Sequence, residues 1–176
     1  MAKIIAFQGA HGANSEVALK KYSPQAESLP CTSFEQVFTA LEENTADLAF
    51  IPVENSIAGR VADIHHLLPQ ANVHIIAEHF EPIHHQLMAL PGTTLNDLTE
   101  VHSHVHALGQ CRTFIQTNKL KPVVHADTAG AASDVATWQD KTKGAIATKL
   151  AAELYGLTIL AENIEHNQHN TTRFLL

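Results

Sequence analysis

Helices that alternate with short apolar strands along the whole length predict an α/β fold in two lobes. Each lobe is expected to hold a mixed, mostly parallel sheet flanked by helices. Three observations carry this expectation. Apolar runs such as Ile4 to Phe7 and Gln86 to Leu90 end at Gly or polar residues, as buried strands do. Segments with apolar residues at helical spacing follow those runs. The alternation breaks near residues 78 to 84 and then resumes. The expected lobes are therefore 1–78 plus 160–176, and 79–159. No Gly/Ser-rich linker intervenes, so the chain should cross between the lobes in extended strands. A ligand is expected in the cleft between the lobes, at the carboxyl ends of strands.

In order, Ile4 to Phe7 reads as a strand, and a helix follows from Asn14 or Ser15. Ser33 is a good N-cap for a helix that places Phe34, Val37, Phe38 and Leu41 on one face. Leu48 to Val53 is a strand. Val61, Ile64 and Leu68 mark a short helix that stops near Pro69, and Val73 to Ala77 and Gln86 to Leu90 are strands. Val101 to Ser103 is a strand that opens a helix from His104 to Thr117, with Leu108, Cys111 and Ile115 inward. Pro122 to His125 is a strand. Asp127 caps a helix that runs toward Trp138. Gly144 to Thr148 is a strand, Lys149 to Tyr155 a helix closed by Gly156, and Thr158 to Ala161 and Thr172 to Leu176 the last strands.

Composition narrows the function classes. The 176 residues are 45% apolar and 16% charged, with a net charge of −7. Such a chain has enough apolar material for a real core, and it lacks the Lys/Arg clusters that displace counterions from nucleic acid. No apolar stretch approaches the roughly 20 residues of a membrane span, and MAKIIAFQGA does not read as a secretory leader. Cys31 and Cys111 make no disulfide framework. These features predict a cytoplasmic protein with no nucleic-acid or membrane partner.

Three loops cluster small polar residues directly after strands. In Glu54-Asn55-Ser56-Ile57-Ala58-Gly59-Arg60 the amide and hydroxyl groups suit either an anion cradle or a capped turn. Ser103 fits either a helix N-cap or a ligand contact. In Asn170-Thr171-Thr172-Arg173-Phe174 an Arg stands beside hydroxyls on an otherwise apolar strand. Arg is the side chain best suited to grip a carboxylate by two parallel hydrogen bonds, although a solvated edge Arg is the plain alternative.

Taken together, these segments resemble prephenate dehydratases. Glu54-Asn55-Ser56 with Gly59 is similar to the family's Glu-Asn-Ser-x-x-Gly loop. Ser103-His104 with Ala107, Leu108, Gln110 and Cys111 resembles its Ser-His-Pro-Gln-Ala-Leu-x-Gln-Cys segment, and Val105 and His106 replace the usual Pro and Gln. Asp127-Thr128-Ala129 with Ala131-Ala132 resembles Ser-Thr-Ala-x-Ala-Ala. Tyr155-Gly156-Leu157 followed by Thr172-Arg173-Phe174 resembles the terminal signature. The first loop, Gly9-Ala10-His11-Gly12-Ala13-Asn14-Ser15, keeps the glycines and serine of Gly-Pro-x-Gly-Thr-Phe-Ser but not its Thr and Phe. Family members usually carry a C-terminal ACT domain that binds phenylalanine; these 176 residues end at the Thr-Arg-Phe strand.

The resemblance implies a two-lobed fold like that of type II periplasmic binding proteins. It implies a hydro-lyase that converts prephenate into phenylpyruvate, water and carbon dioxide on the route to L-phenylalanine. No metal or organic cofactor is expected, because aromatisation drives the step, and a homodimer or homotetramer is expected. Thr172 is expected at the leaving hydroxyl, with Glu54 and His104 as linked proton sources. Arg173 is expected on a carboxylate, where its loss would cost roughly 2–5 kcal/mol. Asn55, Ser56, Ser103, Thr128, the backbone of Ala129, Ser15 and Phe174 are expected to complete the substrate site.

Three alternatives stand beside this reading. Arogenate dehydratase shares the chemistry. A non-catalytic small-anion binding protein shares the fold. A metal site would draw on the 13 histidines, of which His102, His104 and His106 would share one face of a strand. The helix expected from His104 breaks that geometry.

Overall fold

The computed structural model describes residues 2–176. They form two compact units: residues 2–10, 14–83 and 169–176 belong to the first, and 11–13 and 84–168 to the second. The crossings at 83/84 and 168/169 lie later than the expected 78/79 and 159/160. Strand pairing is the reason, since Glu78–Pro82 pairs with the last strand of the first unit, and Thr158–Ala161 pairs within the second.

In the first unit β1 (Ile4–Gln8) lies between β2 (Glu27–Cys31) and β3 (Leu48–Ala49), all parallel. The sequence carries little strand signal at β2, since Pro30 and a weak alternation argue against a strand. As an edge strand it tolerates a missing N–H. Phe50 interrupts the expected strand from Leu48 to Val53, and the chain resumes as β4 (Ile51–Asn55) in a second, antiparallel sheet. That sheet has the order β5 (Gly59–Arg60), β4, β12 (Thr171–Leu175), β6 (Glu78–Pro82). Val73 to Ala77 is not a strand; the pairing begins one residue later, at Glu78. Ile75 and Ile76 are 57% and 60% exposed.

Helices α1 (Asn14–Tyr22), α2 (Phe34–Glu42) and α3 (Ala62–Leu67) flank these sheets. Ser33 caps α2 as expected, its side chain accepting from Gln36 N. Val37, Phe38, Ile51, Val53, Ile64 and Leu175 form the core that packs α2 and α3 on the sheets. On the other side of the terminal strand Phe174 stacks on Phe50, with ring centres 4.9 Å apart.

The second unit is built on one five-stranded sheet, ordered β11 (Thr158–Ala161), β7 (Gln86–Ala89), β10 (Lys143–Ala147), β8 (Glu100–Ser103), β9 (Lys121–Val124). Strands β10, β8 and β9 are parallel, and β7 runs against both of its neighbours. Among the described residues five of the nine strand pairings are antiparallel. The fold is thus mixed α/β with sheets flanked by helices, and less parallel than expected.

The helix expected from His104 to Thr117 is two, α4 (Val105–Gln110) and α5 (Arg112–Thr117), joined at Cys111 with φ −101° and ψ 11°. α6 (Thr128–Trp138) and α7 (Lys149–Tyr155) complete the unit, capped by Asp127 and Thr148. Leu87, Val101, Leu108, Cys111, Ile115 and Ile146 are its core. Residues 11–13 join this unit through two hydrogen bonds. The Thr148 hydroxyl donates to Gly12 O at 2.5 Å, and Tyr155 OH donates to His11 O at 2.8 Å. Gly12 has φ +90°, and a Cβ there would stand 2.8 Å from Ala151 Cα, so only glycine fits.

No helix among the described residues is long and apolar enough to cross a membrane.

Candidate functional site

In the first unit β4 and β12 bring the predicted polar residues together. Asn55 ends β4 and stands opposite Thr172 in the ladder. Its Oδ1 accepts from Ile57 N at 3.0 Å and Ala58 N at 2.8 Å, which shapes the turn into β5. Two backbone N–H groups can only donate, so the amide has one allowed orientation. Its Nδ2 therefore donates to Thr172 Oγ1 at 2.9 Å and to Asn170 Oδ1 at 2.7 Å. The Ser56 hydroxyl donates to His169 O and accepts from Thr171 N, so it ties the loop to the approach of β12. Thr172 is 8% exposed and Asn170 is 1% exposed. The result is a chain of neutral donors and acceptors with little water around it. Such a chain holds its geometry because each buried polar atom depends on its partner.

Thr172 and Arg173 do not act on one face. Successive strand residues alternate, and the ladder shows the consequence. Thr172 stands across from Asn55 and Glu81, while Arg173 stands across from Glu54 and Phe80. The Arg173 guanidinium binds the Glu78 carboxylate, with Nε at 2.9 Å and NH2 at 2.8 Å from the same oxygen, and lies over the Phe80 ring. Together with Val53, Ile64, His65, Ile76 and Leu175 this pair borders a cavity of about 410 Å³. Glu54 lies on that same face and is exposed. Glu81, not singled out from the sequence, is 3% exposed and held by Lys21 and by His79 Nε2 at 3.1 Å. Phe174, expected near the ligand, is a core ring, 1% exposed. Ser15 is buried in the first turn of α1.

In the second unit the residues keep their sequence neighbourhoods but take other tasks. Ser103 is fully buried and is not the N-cap of α4; its hydroxyl donates to Ile146 O at 2.6 Å and joins β8 to β10. His104 is the cap, and its Nδ1 accepts from His106 N at 3.3 Å. Burial, and then His106, hold the His104 imidazole below its usual value, against a smaller pull upward from Asp127. Its Nδ1 is an acceptor for His106 N, and its surroundings disfavour a second proton on the ring. His102 turns to Glu100 at 3.0 Å and packs edge-on against Trp138. His104 and His106 lie side by side, with ring centres 5.1 Å apart, whereas His102 is turned to Glu100 and Trp138, and among the described residues no group of three His, Cys, Asp or Glu side chains is placed to hold a metal. Asp127 accepts from Gly130 N at 2.6 Å, which fixes Thr128 and Ala129 in the first turn of α6. His125 reaches Asp134 at 3.0 Å and Asp127 O at 3.1 Å.

A further buried cluster lies at the start of this unit. The Glu165 carboxylate accepts from His85 N at 2.9 Å and meets His84 Nδ1 at 2.8 Å. His85 Nε2 donates to Gln110 Oε1 at 2.7 Å, since an amide oxygen only accepts. Desolvation is the main cause that lowers the His85 basicity. Paired histidines carry no sequence signal for such a cluster, because Gln110 and Glu165 are remote in the chain. Asn170 was also missed as a site residue; it was read only as part of a polar stretch, and its partner lies 115 positions away.

The geometry can be set beside known proteins. The family model described as prephenate dehydratase matches residues 5–176. A bifunctional N-acyl-homoserine lactone acylase/prephenate dehydratase of Komagataeibacter europaeus is 48% identical over 99% of this chain and 62% of its own length. Arogenate dehydratase 1 of Petunia hybrida is 44% identical over 98% of this chain and 41% of its own length. This chain spans less than two thirds of either relative. The crystal structure of a prephenate dehydratase from Arthrobacter aurescens, in complex with L-Phe, superposes with a TM-score of 0.90. It is 30% identical, and the match covers 98% of this chain and 63% of that one. On the match over residues 5–176, and with Asn55 and Thr172 joined across two strands of one sheet, the chain belongs to the prephenate dehydratase family.

Proposed function

We propose that this protein is a hydro-lyase that converts prephenate into phenylpyruvate, water and carbon dioxide. The observation that carries the reading is the single orientation open to the Asn55 amide. Thr172 Oγ1 accepts from Asn55 Nδ2, so its own O–H points elsewhere and can donate a hydrogen bond to the C4 oxygen as the C–O bond breaks, the net proton that turns the leaving hydroxide into water coming from solvent. Hydroxide is a poor leaving group, and a positioned donor lowers that barrier. Poor solvation around Thr172 helps the second half of the reaction, because a ring carboxylate that becomes carbon dioxide disperses its charge more easily away from water.

Thr172 and Asn55 are the groups proposed at the leaving oxygen. Glu54 is less suited, as it lies on the opposite face of β4. The surroundings of His104 disfavour a second proton, and it is proposed as a hydrogen-bond partner rather than an ionised acid. The hydroxyl of Thr128 and the N–H of Ala129, at the start of α6, are proposed to bind a substrate carboxylate.

Arogenate is the second substrate reading, favoured by the similarity to plant proteins named arogenate dehydratases. The two substrates differ only in the side chain, pyruvyl or alanyl, so leaving-group chemistry does not separate them. The test is turnover of each by purified protein, read as phenylpyruvate absorbance in alkali and as phenylalanine formation. Release of phenylpyruvate from prephenate at the higher kcat/KM supports the proposal. Preference for arogenate replaces the substrate, and inertness toward both defeats the reading. An acyl-homoserine lactone belongs in the same experiment, given the acylase in one relative's name.

A further inference from the structure

We propose that Asn170 is a positioning residue that sets the direction of the Thr172 hydroxyl by way of Asn55. This inference rests on the dehydratase reading and goes beyond it, because Asn170 need not touch substrate.

The argument is one of donor and acceptor counting. An Asn side chain has two N–H donors and one carbonyl oxygen. Both lone-pair directions of Asn55 Oδ1 are taken by the N–H groups of Ile57 and Ala58. That leaves two donors on Nδ2. One goes to Thr172 Oγ1 and the other to Asn170 Oδ1, at 2.9 and 2.7 Å. Without Asn170 the amide would be held from its oxygen side, and the second Nδ2 hydrogen would keep only the long contact to Thr171 O at 3.4 Å. Asn170 gives that hydrogen a short partner and fixes the nitrogen side of the plane. Thr172 Oγ1 is then obliged to accept along a fixed line, and its proton is confined to the remaining directions. Asn170 is itself held: its carbonyl accepts from Ile83 N at 2.8 Å, and its side chain is 1% exposed. The order of rigidity runs from the backbone of Ile83, just after β6, through Asn170 and Asn55 to Thr172.

The variants that test this are Asn170→Ala, Asn170→Asp, Asn55→Ala and the double variant N55A/N170A, each measured by steady-state kinetics with the better of the two substrates. A misdirected donor acts on the transition state more than on binding. N170A is therefore expected to lower kcat by about 10- to 100-fold at nearly constant KM. Asp keeps an acceptor at the same place, so N170D should recover most of that loss. In the N55A background the N170A change should have almost no further effect, because its route to Thr172 is already cut. Multiplying effects in the double variant, or an N170A loss that N170D does not recover, would overturn the proposal and leave Asn170 a packing residue.

A second measurement does not depend on turnover. In nitrogen–proton NMR of the free protein, the two side-chain N–H signals of Asn55 should be well separated and slow to exchange. N170A should move one of them toward the position of an exposed amide while its melting curve stays cooperative. Unchanged Asn55 signals in folded N170A sink the inference even if neither substrate is turned over. Inertness of the wild-type enzyme, by contrast, counts against the dehydratase reading alone.

Discussion

Thr172 in the first unit and Ser103 in the second both stand in strands, and their hydrogen bonds run in opposite directions. Thr172 Oγ1 accepts from an amide and retains its proton. Ser103 Oγ donates its proton to the carbonyl of Ile146 in the neighbouring strand. Two alcohols that look equivalent in sequence thus differ: one keeps its O–H direction open, as the proposed chemistry requires, and the other is a stitch in a sheet. The contrast extends to their surroundings. Around Thr172 the partners are neutral amides with one allowed orientation. Elsewhere in the second unit the buried polar contacts involve ionisable groups, as in the Glu165, His84, His85 and Gln110 cluster.

The largest expected effect breaks the first half of that comparison. Thr172→Val keeps the shape and removes the hydroxyl, and kcat/KM should fall by about 10²- to 10⁴-fold, while the loss of the Asn55 acceptor costs no more than about 1–3 kcal/mol of stability. A loss of less than tenfold would mean that another group donates to the leaving oxygen. Ser103→Ala should behave in the converse way. It leaves a buried carbonyl without its donor, so unfolding in urea should show a loss of about 1–3 kcal/mol, with a smaller change in turnover. A large kinetic defect without a stability defect would move Ser103 into the reacting site.

The histidine cluster predicts a pH dependence of stability. Burial holds His85 below its usual value of 6.5, so the unfolded chain binds a proton that the folded one resists. Stability contributed by neutral His85 is present above pH 6.5 and is lost as pH falls from there toward the depressed folded value. Urea midpoints at steps between pH 5 and 8 should fall on the acid side, and His85→Gln should flatten that slope. A slope that is the same in both proteins would place the titrating group elsewhere. Arg173→Gln is expected to do less. The Arg173–Glu78 pair is well exposed and contributes about 0–1 kcal/mol, so a KM close to that of the parent follows if the guanidinium stays on Glu78. A rise in KM worth 2–5 kcal/mol would show instead that it leaves Glu78 for a substrate carboxylate. The smallest effect is chemical silence at the cysteines. Burial and then Glu165 push the Cys111 thiol up to about 12, and burial also raises Cys31. Native protein at pH 8 should take up no iodoacetamide label by mass spectrometry, and both sites should react in urea.

Much of the fold was legible. Apolar runs of strand length and capped amphipathic helices are local patterns, and Ser33, Asp127 and Gly156 act in the structure as their types suggest. Elements were misjudged where local and tertiary demands diverge. Strand β2 carries a proline that only an edge position tolerates. Val73 to Ala77 has strand composition but lacks a ladder partner, and Glu78–Pro82 gains one from β12 despite its polar residues. At the site, Asn55 and Thr172 could be named from motif resemblance, whereas the separation of Thr172 from Arg173 follows from strand alternation as soon as β12 is known to be paired on both sides.

The sequence by itself determined which segments could be helix or strand, which residue types were available for proton donation and carboxylate binding, and to which family these belong. Those properties reside in single residues and short spacings. Only the tertiary structure decided which way each hydrogen bond points. The direction of the Asn55 amide depends on two backbone N–H groups nearby and on Asn170, more than a hundred residues away, and the task of Ser103 depends on a carbonyl in another strand. Hydrogen bonding requires atoms to meet in space, and such meetings are fixed by strand register rather than by composition.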